Sequence, residues 1–306
     1  MRTRYAYYDH LPAKTRLLNA LRDVFRWRPL DRWLAARTQG SVPGTGWARL
    51  IPPEYRYGSG SRRTVERHGI RWELDISDAV DHYLYFGLKE PGFERLLALV
   101  KPTDRAIDVG ANIGMLALPL ARKVGASRVV AFEPDPANRS RLVRHLALNG
   151  LERVRVEHHG LGNEARTHRL YQVVGSNAGM NRIVLDEQGS DRFPFTEIQV
   201  ARLDELWPGL GLDRVDLLKI DVEGFEHEVL KGAEGTLRTY RPLLFIELDD
   251  DNLRDNGSSA ADLLRWLADR GYTVSAALTG KPMAPDALAH CHLDVIATPD
   301  PAAERR

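Results

Sequence analysis

The chain has 306 residues and a mass of 34.5 kDa, with 43% apolar and 28% charged residues. This composition is typical of a folded globular protein and excludes a fibrous repeat or a fully disordered chain. The formal net charge is only +1, so global charge gives no reason to expect nucleic acid as a partner.

Cysteine content and leader signals bear on the compartment. Cys291 is the only cysteine, so no intrachain disulfide can form, and this favours a reducing compartment. The first residues carry charge but lack the apolar core of a signal peptide. No apolar run approaches the length that spans a bilayer. We therefore expect a soluble, cytoplasmic protein.

The N-terminal part of the chain differs from the rest in charge. Its first 67 residues hold 14 Lys and Arg against 5 Asp and Glu, whereas the remaining residues hold 29 against 37. Apolar residues recur there at roughly helical spacing, with arginines between them: Leu17, Leu21, Val24, Phe25, Trp27 and Leu30. Such a helix either lies on an anionic membrane or acidic partner, or packs on the main domain.

The segment 38–64 is rich in Gly, Pro and Ser, which is typical of a loop or linker. We predict a basic, partly helical extension with a linker over residues 1–68, followed by one main domain over 69–306.

From residue 69 onward, the predicted strands and helices alternate. In chain order we expect strand Ile70–Ile76, helix Pro91–Val100, strand Ala106–Val109, helix Met115–Val124, strand Arg128–Phe132, helix Ala137–Asn149 and strand Val154–Glu157. A hairpin-like region at about 166–202 precedes strand Val215–Ile220, helix Glu226–Leu237, strand Leu243–Leu248, helix Ala260–Arg270 and closing strands Tyr272–Leu278 and Leu293–Ala297. Repeated units of this kind predict an α/β fold, a mostly parallel sheet with helices on both faces.

Ligands bind such sheets beyond the carboxyl ends of the strands, where the strand order reverses. The first central strand leads there into the loop Asp108-Val109-Gly110-Ala111-Asn112-Ile113-Gly114. Glycines let the backbone turn sharply, and the next helix offers free N–H groups. The loop lacks the three glycines of the dinucleotide fingerprint, and Asp108 would repel a pyrophosphate but attract an ammonium. These features argue against a nucleotide-dependent oxidoreductase.

The second central strand ends at Phe132-Glu133-Pro134. Glu133 lies about 20 residues after the glycine loop, where an acid can bind both hydroxyls of a ribose. A ribose-bearing ligand whose other end carries an ammonium describes S-adenosylmethionine better than NAD. The sequence therefore predicts S-adenosylmethionine as the cofactor.

Two later strands also end in carboxylates. Asp221 and Glu223 follow one strand, and Glu247 lies at the end of the next. Alternation puts Lys219 and Asp221 on the same side of their strand, and a lysine among apolar residues needs a partner, so we expect a Lys219–Asp221 contact. The carboxylates could orient a hydroxyl, act as a general base or hold a divalent cation. A lysine base with a lowered pKa is a further alternative.

The pair His290 and His292, with Cys291 between them, offers too few ligands for a typical metal site. We assign no metal ligands, and a divalent cation at the carboxylates stays an open alternative rather than the favoured one.

Together these motifs resemble the FkbM family of S-adenosylmethionine-dependent methyltransferases. The matching segments keep the family's order over roughly residues 70–298: Asp108–Gly114, Phe132–Pro134, Arg202–Leu206, Lys219–Gly224 and Leu230–Ala233. The resemblance implies a Rossmann-like, seven-stranded, mostly parallel sheet with an antiparallel last strand. It also implies O-methylation of a hydroxyl on a sugar, glycan or natural product.

The resemblance carries roles for single residues. The methionine part of the cofactor would be surrounded by Asp108, Gly110, Asn112 and Gly114. The ribose would be held by Glu133, with Pro134 beside it. Separately from the resemblance, Glu90 is a candidate for contact with the cofactor's amino group.

The acceptor side would be bordered by Asp221 and Glu223. We predict Asp221 as the catalytic base, with Glu223 or Glu247 orienting the hydroxyl. The expected partner is a small-molecule or glycan acceptor. The alternative function is a non-catalytic protein, with the same fold, that binds S-adenosylmethionine or acts as a scaffold.

Overall fold

The structure is a computed structural model that describes residues 11–172, 178–185, 193–285, 288 and 290–300. These residues form two compact units. The first runs to Glu90 and includes Gln172 and 178–181, and the second contains Pro91–Tyr171 and the described residues from Arg182 onward. Among the described helices, none combines the length and the apolar character that crossing a membrane requires.

The first unit contains helices and a two-stranded hairpin. Its elements are α1 (Ala13–Arg22), α2 (Arg28–Arg37), β1 (Arg62–Arg67), β2 (Ile70–Asp75) and α3 (Ala79–Tyr85). The antiparallel pair β1–β2 turns at His68 and Gly69, which both have positive φ. The strand predicted from Ile70 is confirmed. The boundary predicted between residues 68 and 69 falls in the turn of this hairpin, and the assignment of 69–306 to one domain stays a prediction.

Buried Asp31 ties the N-terminal helices to the hairpin. Its Oδ2 accepts hydrogen bonds from Nε and Nη2 of Arg63, at 2.9 and 2.5 Å, and its Oδ1 accepts one from the Tyr85 hydroxyl at 2.8 Å. A buried carboxylate without such partners would be strongly destabilising. A polar contact thus fixes α2 to β1 and α3.

The second unit alternates strands and helices, largely as the sequence predicts. Its elements are α4 (Pro91–Leu99), β3 (Ala106–Val109), α5 (Ala117–Val124), β4 (Val129–Phe132), α6 (Pro136–Leu148), β5 (Arg155–Glu157), β6 (Gly160–Leu161), β7 (Arg166–Tyr171), β8 (Arg182–Ile183), β9 (Phe195–Ala201), α7 (Leu203–Leu206), β10 (Leu217–Ile220), α8 (Glu226–Gly232), α9 (Glu234–Tyr240), β11 (Leu243–Asp249), α10 (Asp250–Asp255), α11 (Ala260–Asp269), β12 (Tyr272–Ala276) and β13 (His292–Pro299).

The main sheet has seven strands in the order β12-β13-β11-β10-β3-β4-β5. β13 is antiparallel to both of its neighbours, whereas β11, β10, β3, β4 and β5 run parallel. The predicted fold class is confirmed. After β3 the chain builds β4 and β5 on one side, and it returns to β10 on the other side of β3. The strand order therefore reverses between β3 and β10.

Helices cover both faces of this sheet. Val109, Ile220 and Ile246 are buried in one core with side chains of α8, α9 and α11. Phe245, which points to the other face because side chains alternate along a strand, packs edge-on against Phe93 of α4 with ring centroids 5.6 Å apart.

A second sheet, in the order β6-β9-β7-β8, holds the predicted hairpin-like region. The antiparallel pairing of β7 with β9 agrees with that prediction. The helix predicted over Glu226–Leu237 is instead two helices, which meet at Ala233 with φ −110° and ψ 9°. Ser259 caps α11, because its Oγ accepts the N–H of Asp262 at 3.1 Å.

The turn after β3 is tight. Gly110 has φ 75°, and a Cβ atom built on it would lie 1.9 Å from the carbonyl oxygen of Asp221. Only a residue without a side chain fits between the ends of β3 and β10. Gly125, at the end of α5, also has positive φ (97°), but a Cβ there meets nothing within 4 Å.

We therefore expect Gly110→Ala to lower the free energy of unfolding far more than Gly125→Ala. The Gly125 variant carries only the backbone strain of an alanine at φ 97° and ψ 136°, a region that favours glycine, at a cost of about 1–3 kcal/mol. The Gly110 variant adds a collision with backbone. Denaturant unfolding of both variants measures the difference, and equal losses would contradict the close approach seen here.

Candidate active site

A buried lysine lies where the strand order reverses. Nζ of Lys219 lies 3.1 Å from Oδ1 of Asp108 and 3.3 Å from Oδ2 of Asp221, and it donates a hydrogen bond to the carbonyl oxygen of Gly110 at 2.7 Å. The predicted Lys219–Asp221 contact is confirmed. The contact with Asp108 was not predicted, and it arises because Lys219 and Asp108 are register partners on β10 and β3.

These contacts determine the charge state of the lysine. Burial lowers the pKa of Lys219, but the charges of Asp108 and Asp221 outweigh burial and raise this pKa above its ordinary value. The alternative that Lys219 acts as a base with a lowered pKa is therefore wrong. Burial also raises the pKa of Asp108, against the opposing charge of Lys219. Asp108 is fully buried, so its predicted contact with a ligand ammonium stays a prediction.

The loop after β3 meets the end of β4. The N–H groups of Gly110 and Ala111 both donate to the carbonyl oxygen of Phe132 at 3.0 Å. Asn112 and Gly114 complete the turn with positive φ values of 50° and 98°. A Cβ on Gly114 would lie 2.3 Å from Cδ1 of Leu118, so this glycine lets the loop pack on α5.

Glu133 lies next to this loop, nearly buried. Its Oε2 accepts the N–H of Asn112 at 2.7 Å, and its Oε1 accepts the N–H of Asp135 at 2.9 Å, across the intervening Pro134. Burial raises the pKa of Glu133 to about 7. Because each carboxylate oxygen has two lone pairs, two acceptor positions remain for a pair of ligand hydroxyls.

The predicted carboxylates at the ends of β10 and β11 lie close enough for their charges to interact. Burial, and then the charges of Asp221 and Glu226, raise the pKa of Glu223 to about 8. Burial, with the Asp221 and Glu223 charges, also raises the pKa of Glu247 well above its ordinary value. The Asp221 side chain is 34% exposed, more than that of Glu247 at 16%. Asp221 is therefore the more accessible of these two groups.

Glu226 supports the loop that carries Glu223. Its Oε1 accepts the N–H groups of Val222 at 3.1 Å and Gly224 at 3.0 Å, and burial raises the pKa of Glu226 to about 7. Glu223 itself has φ 55°, a left-handed conformation that is uncommon for a residue with a side chain. Glu226, a buried acid for which the sequence predicts no role, thus stabilises this loop in one conformation.

The sequence does not predict two further polar residues that lie beside Glu223 and Glu247. Nδ2 of Asn252 donates to Oε2 of Glu223 at 2.8 Å. Nδ1 of His292 lies 3.0 Å from Oδ2 of Asp249, and its Nε2 lies 3.8 Å from Oε1 of Glu247. The antiparallel pairing of β13 with β11 brings His292 opposite Asp249. Local sequence carries no signal for this long-range pairing.

Glu90 belongs to the first unit, so its predicted contact with the cofactor stays a prediction. There it lies near Tyr83: burial, followed by the Glu90 charge, raises the pKa of the Tyr83 hydroxyl.

One group of described residues could hold a metal ion, because its possible ligand atoms all lie within 4.8 Å of one another. The group consists of Glu157, His158 and His159. Nε of Arg155 lies 2.5 Å from Oε1 of Glu157, so this carboxylate already has a cationic partner. His290, set aside as a ligand, lies 2.8 Å from Asp251. A cation at Asp221, Glu223 and Glu247 stays a prediction.

The chain has relatives among characterised proteins. It is 32% identical over 160 residues to Methyltransferase sdnD of Sordaria araneosa, which covers 42% of this chain and 60% of that protein. It is 31% identical over 164 residues to 31-O-demethyl-FK506 methyltransferase FkbM of Streptomyces tacrolimicus, covering 44% and 61%. It is 27% identical over 169 residues to 2-O-methyltransferase NoeI of Sinorhizobium fredii, covering 51% and 67%.

The match to the first two of these relatives spans about three fifths of their length. A family model, described as Methyltransferase FkbM domain, matches residues 108–274, which is more than half of the chain. The matched segment begins at Asp108 and contains the strand ends that carry Glu133, Asp221, Glu223 and Glu247. The chain belongs to the FkbM methyltransferase family.

Proposed function

We propose that this protein is an S-adenosylmethionine-dependent O-methyltransferase, which methylates a hydroxyl of a sugar, glycan or natural product. The observation that carries the proposal is the convergence of Glu133 and of three carboxyls, Asp221, Glu223 and Glu247, on the edge of the sheet where the strand order reverses. Two relatives bear names that specify O-methylation, which supports oxygen as the methylated atom.

Residues on the β4 side fit the nucleoside part of the cofactor. Glu133 keeps two acceptor positions beyond its backbone hydrogen bonds, which match the two hydroxyls of a ribose. The tight turn at Gly110 lets the loop after β3 pack directly against the end of β10. When bound, S-adenosylmethionine supplies a methyl group made electrophilic by its sulfonium charge, and the surrounding carboxylates complement this charge.

Residues on the β10 and β11 side fit the acceptor. A sugar hydroxyl is a poor acid, so a base must lie within hydrogen-bond reach of its oxygen. Lys219 contacts Oδ2 of Asp221, and the Glu247 carboxyl lies within hydrogen-bond range of the Asp221 side chain. The pKa of Glu247 is raised well above its ordinary value, so its carboxyl can hold a proton and orient the acceptor hydroxyl beside Asp221. We assign Asp221 as the base and Glu247 as an orienting group.

Glu223 has a different role in this scheme. With a pKa of about 8, its carboxyl is largely protonated at neutral pH in the free protein, so it can donate a hydrogen bond to the acceptor. The alternative function, a protein that binds S-adenosylmethionine without catalysis, uses the same nucleoside contacts and differs only in turnover.

The affinity for S-adenosylhomocysteine is expected to rise about tenfold between pH 6 and 8. Only the ionised form of Glu133 offers all of its acceptor positions, and ionisation proceeds through this interval around a pKa of about 7. Glu133→Gln should bind weakly at every pH, whereas Glu164→Gln, at an exposed position, should behave as wild type. Calorimetry across this pH range measures the effect, with NAD as the comparison ligand. A rise that persists in Glu133→Gln would contradict the assignment.

Turnover is expected to fall about 10²- to 10⁴-fold in Asp221→Asn, because an amide cannot take the proton of the acceptor hydroxyl. Turnover is measured as the S-adenosylhomocysteine formed from S-adenosylmethionine in the presence of a panel of sugars and glycosides. Asp251→Asn, at an exposed position of α10, is the matched control and should keep full activity. Affinity for S-adenosylhomocysteine should stay near wild type in both variants.

The outcomes separate the two functions. Full turnover by Asp221→Asn would refute Asp221 as the base. Binding of S-adenosylhomocysteine without turnover of any acceptor by the wild-type chain would favour the non-catalytic alternative.

A further inference from the structure

Helix α1 presents leucines to solvent, and the residue it buries against the protein is the polar Asn19. Leu17 and Leu21, four residues apart on one helix face, are each 65% exposed. Asn19 is only 4% exposed, and its Nδ2 donates to the Tyr55 hydroxyl at 2.6 Å. A helix that packs on its own protein through an apolar stripe would show the reverse. The stripe of α1 therefore does not contribute to the core of the first unit.

Further exposed apolar residues follow α1 in the chain. Val24 and Trp27 lie in the segment between α1 and α2, and both are more than half exposed. Trp33 of α2 is partly exposed, stacks on Phe25 with ring centroids 6.5 Å apart and meets Trp47 edge-on at 5.2 Å. Tryptophans of this kind are enriched where one side of a ring meets apolar material and the other meets water.

An open groove of about 690 Å³ lies beside the same helix. The groove is lined in part by the apolar side chains of Leu18, Leu21 and Ile51. Arg22 and Arg49 also line it. An apolar groove with nearby cationic groups suits an acyl chain attached to an anionic headgroup.

The charge of this region is strongly positive. The segment 11–67 holds 12 Lys and Arg against 4 Asp and Glu. The acids are engaged within the first unit, as Asp23 is by Arg56 and Asp31 by Arg63. Arg28 and Arg32, four residues apart on α2, are exposed and form no ion pair with any residue that the structure describes. Their charge is therefore available to an anionic partner.

We propose that this basic apolar surface binds an anionic lipid bilayer. The surface consists of Leu17, Leu21, Val24, Trp27, Trp33, Trp47, Arg28 and Arg32. Its apolar side chains would enter the boundary between headgroups and acyl chains, and its guanidinium groups would pair with lipid phosphates. A second copy of the chain fits poorly because it would bring two surfaces of like charge together. The proposal does not depend on the methyltransferase activity.

The test is sedimentation of the full-length protein with lipid vesicles. The wild-type chain should bind vesicles of phosphatidylcholine that contain phosphatidylglycerol, and it should bind pure phosphatidylcholine vesicles at least about tenfold more weakly. The double variant Leu17→Glu/Leu21→Glu should reduce affinity for anionic vesicles at least about tenfold. Leu278→Glu, at a 67% exposed position of the second unit, is the matched control and should bind as wild type.

A second pair of variants tests the charges. Arg28→Gln/Arg32→Gln should weaken binding to anionic vesicles about tenfold or more. Arg153→Gln/Arg238→Gln, at exposed positions of the second unit, should change it less than about twofold. Each substitution lies at an exposed position, so we expect every variant to fold. Thermal unfolding at the wild-type temperature would verify this.

Three results would overturn the proposal. The first is wild-type protein that does not sediment with anionic vesicles, or sediments equally with neutral ones. The second is self-association, seen by sedimentation velocity, that Leu17→Glu/Leu21→Glu abolishes while vesicles are not bound. The third is binding of a polyglutamate peptide without binding of vesicles, which would identify an acidic protein as the partner.

Discussion

One ammonium group, that of Lys219, holds together the end of the sheet where the site lies. It lies between the carboxylates of Asp108 and Asp221 and donates a hydrogen bond to the backbone of Gly110. It therefore joins β3, β10 and the loop that follows β3. Each of these charges alone would be expensive to bury, and together they compensate one another. The position of the Asp221 side chain depends on this contact.

Around this ion pair the site holds more acids than bases. Burial and neighbouring negative charges raise the pKa values of Glu223, Glu226 and Glu247, whereas Asp108 and Asp221 raise the pKa of Lys219. The glutamate carboxyls of this cluster therefore hold protons near neutral pH. A cationic ligand would replace part of that proton charge, so ligand binding and proton release are thermodynamically linked at this position.

The sheet and the central residues were predictable because their signals are local. Apolar runs followed by Gly110, Glu133 or Asp221 identify strand ends, and alternation alone predicts the Lys219–Asp221 contact. The Lys219–Asp108 contact, the Asn252 bond to Glu223 and the approach of His292 depend on pairings between distant segments, which periodicity does not encode. Strand β1 was missed because it follows a segment rich in Gly and Pro.

The position of β13 also constrains how the chain folds. This strand is the last of the main sheet in sequence, yet it lies between β11 and β12. Until it is synthesised, β11 keeps an open edge and β12 has no partner in the sheet, so both expose backbone groups that can pair with other chains. The part of the main sheet that carries Glu247, Asp249 and His292 is therefore complete only once β13 has been synthesised. Protection of a nascent chain from aggregation would therefore matter most before residue 292 emerges.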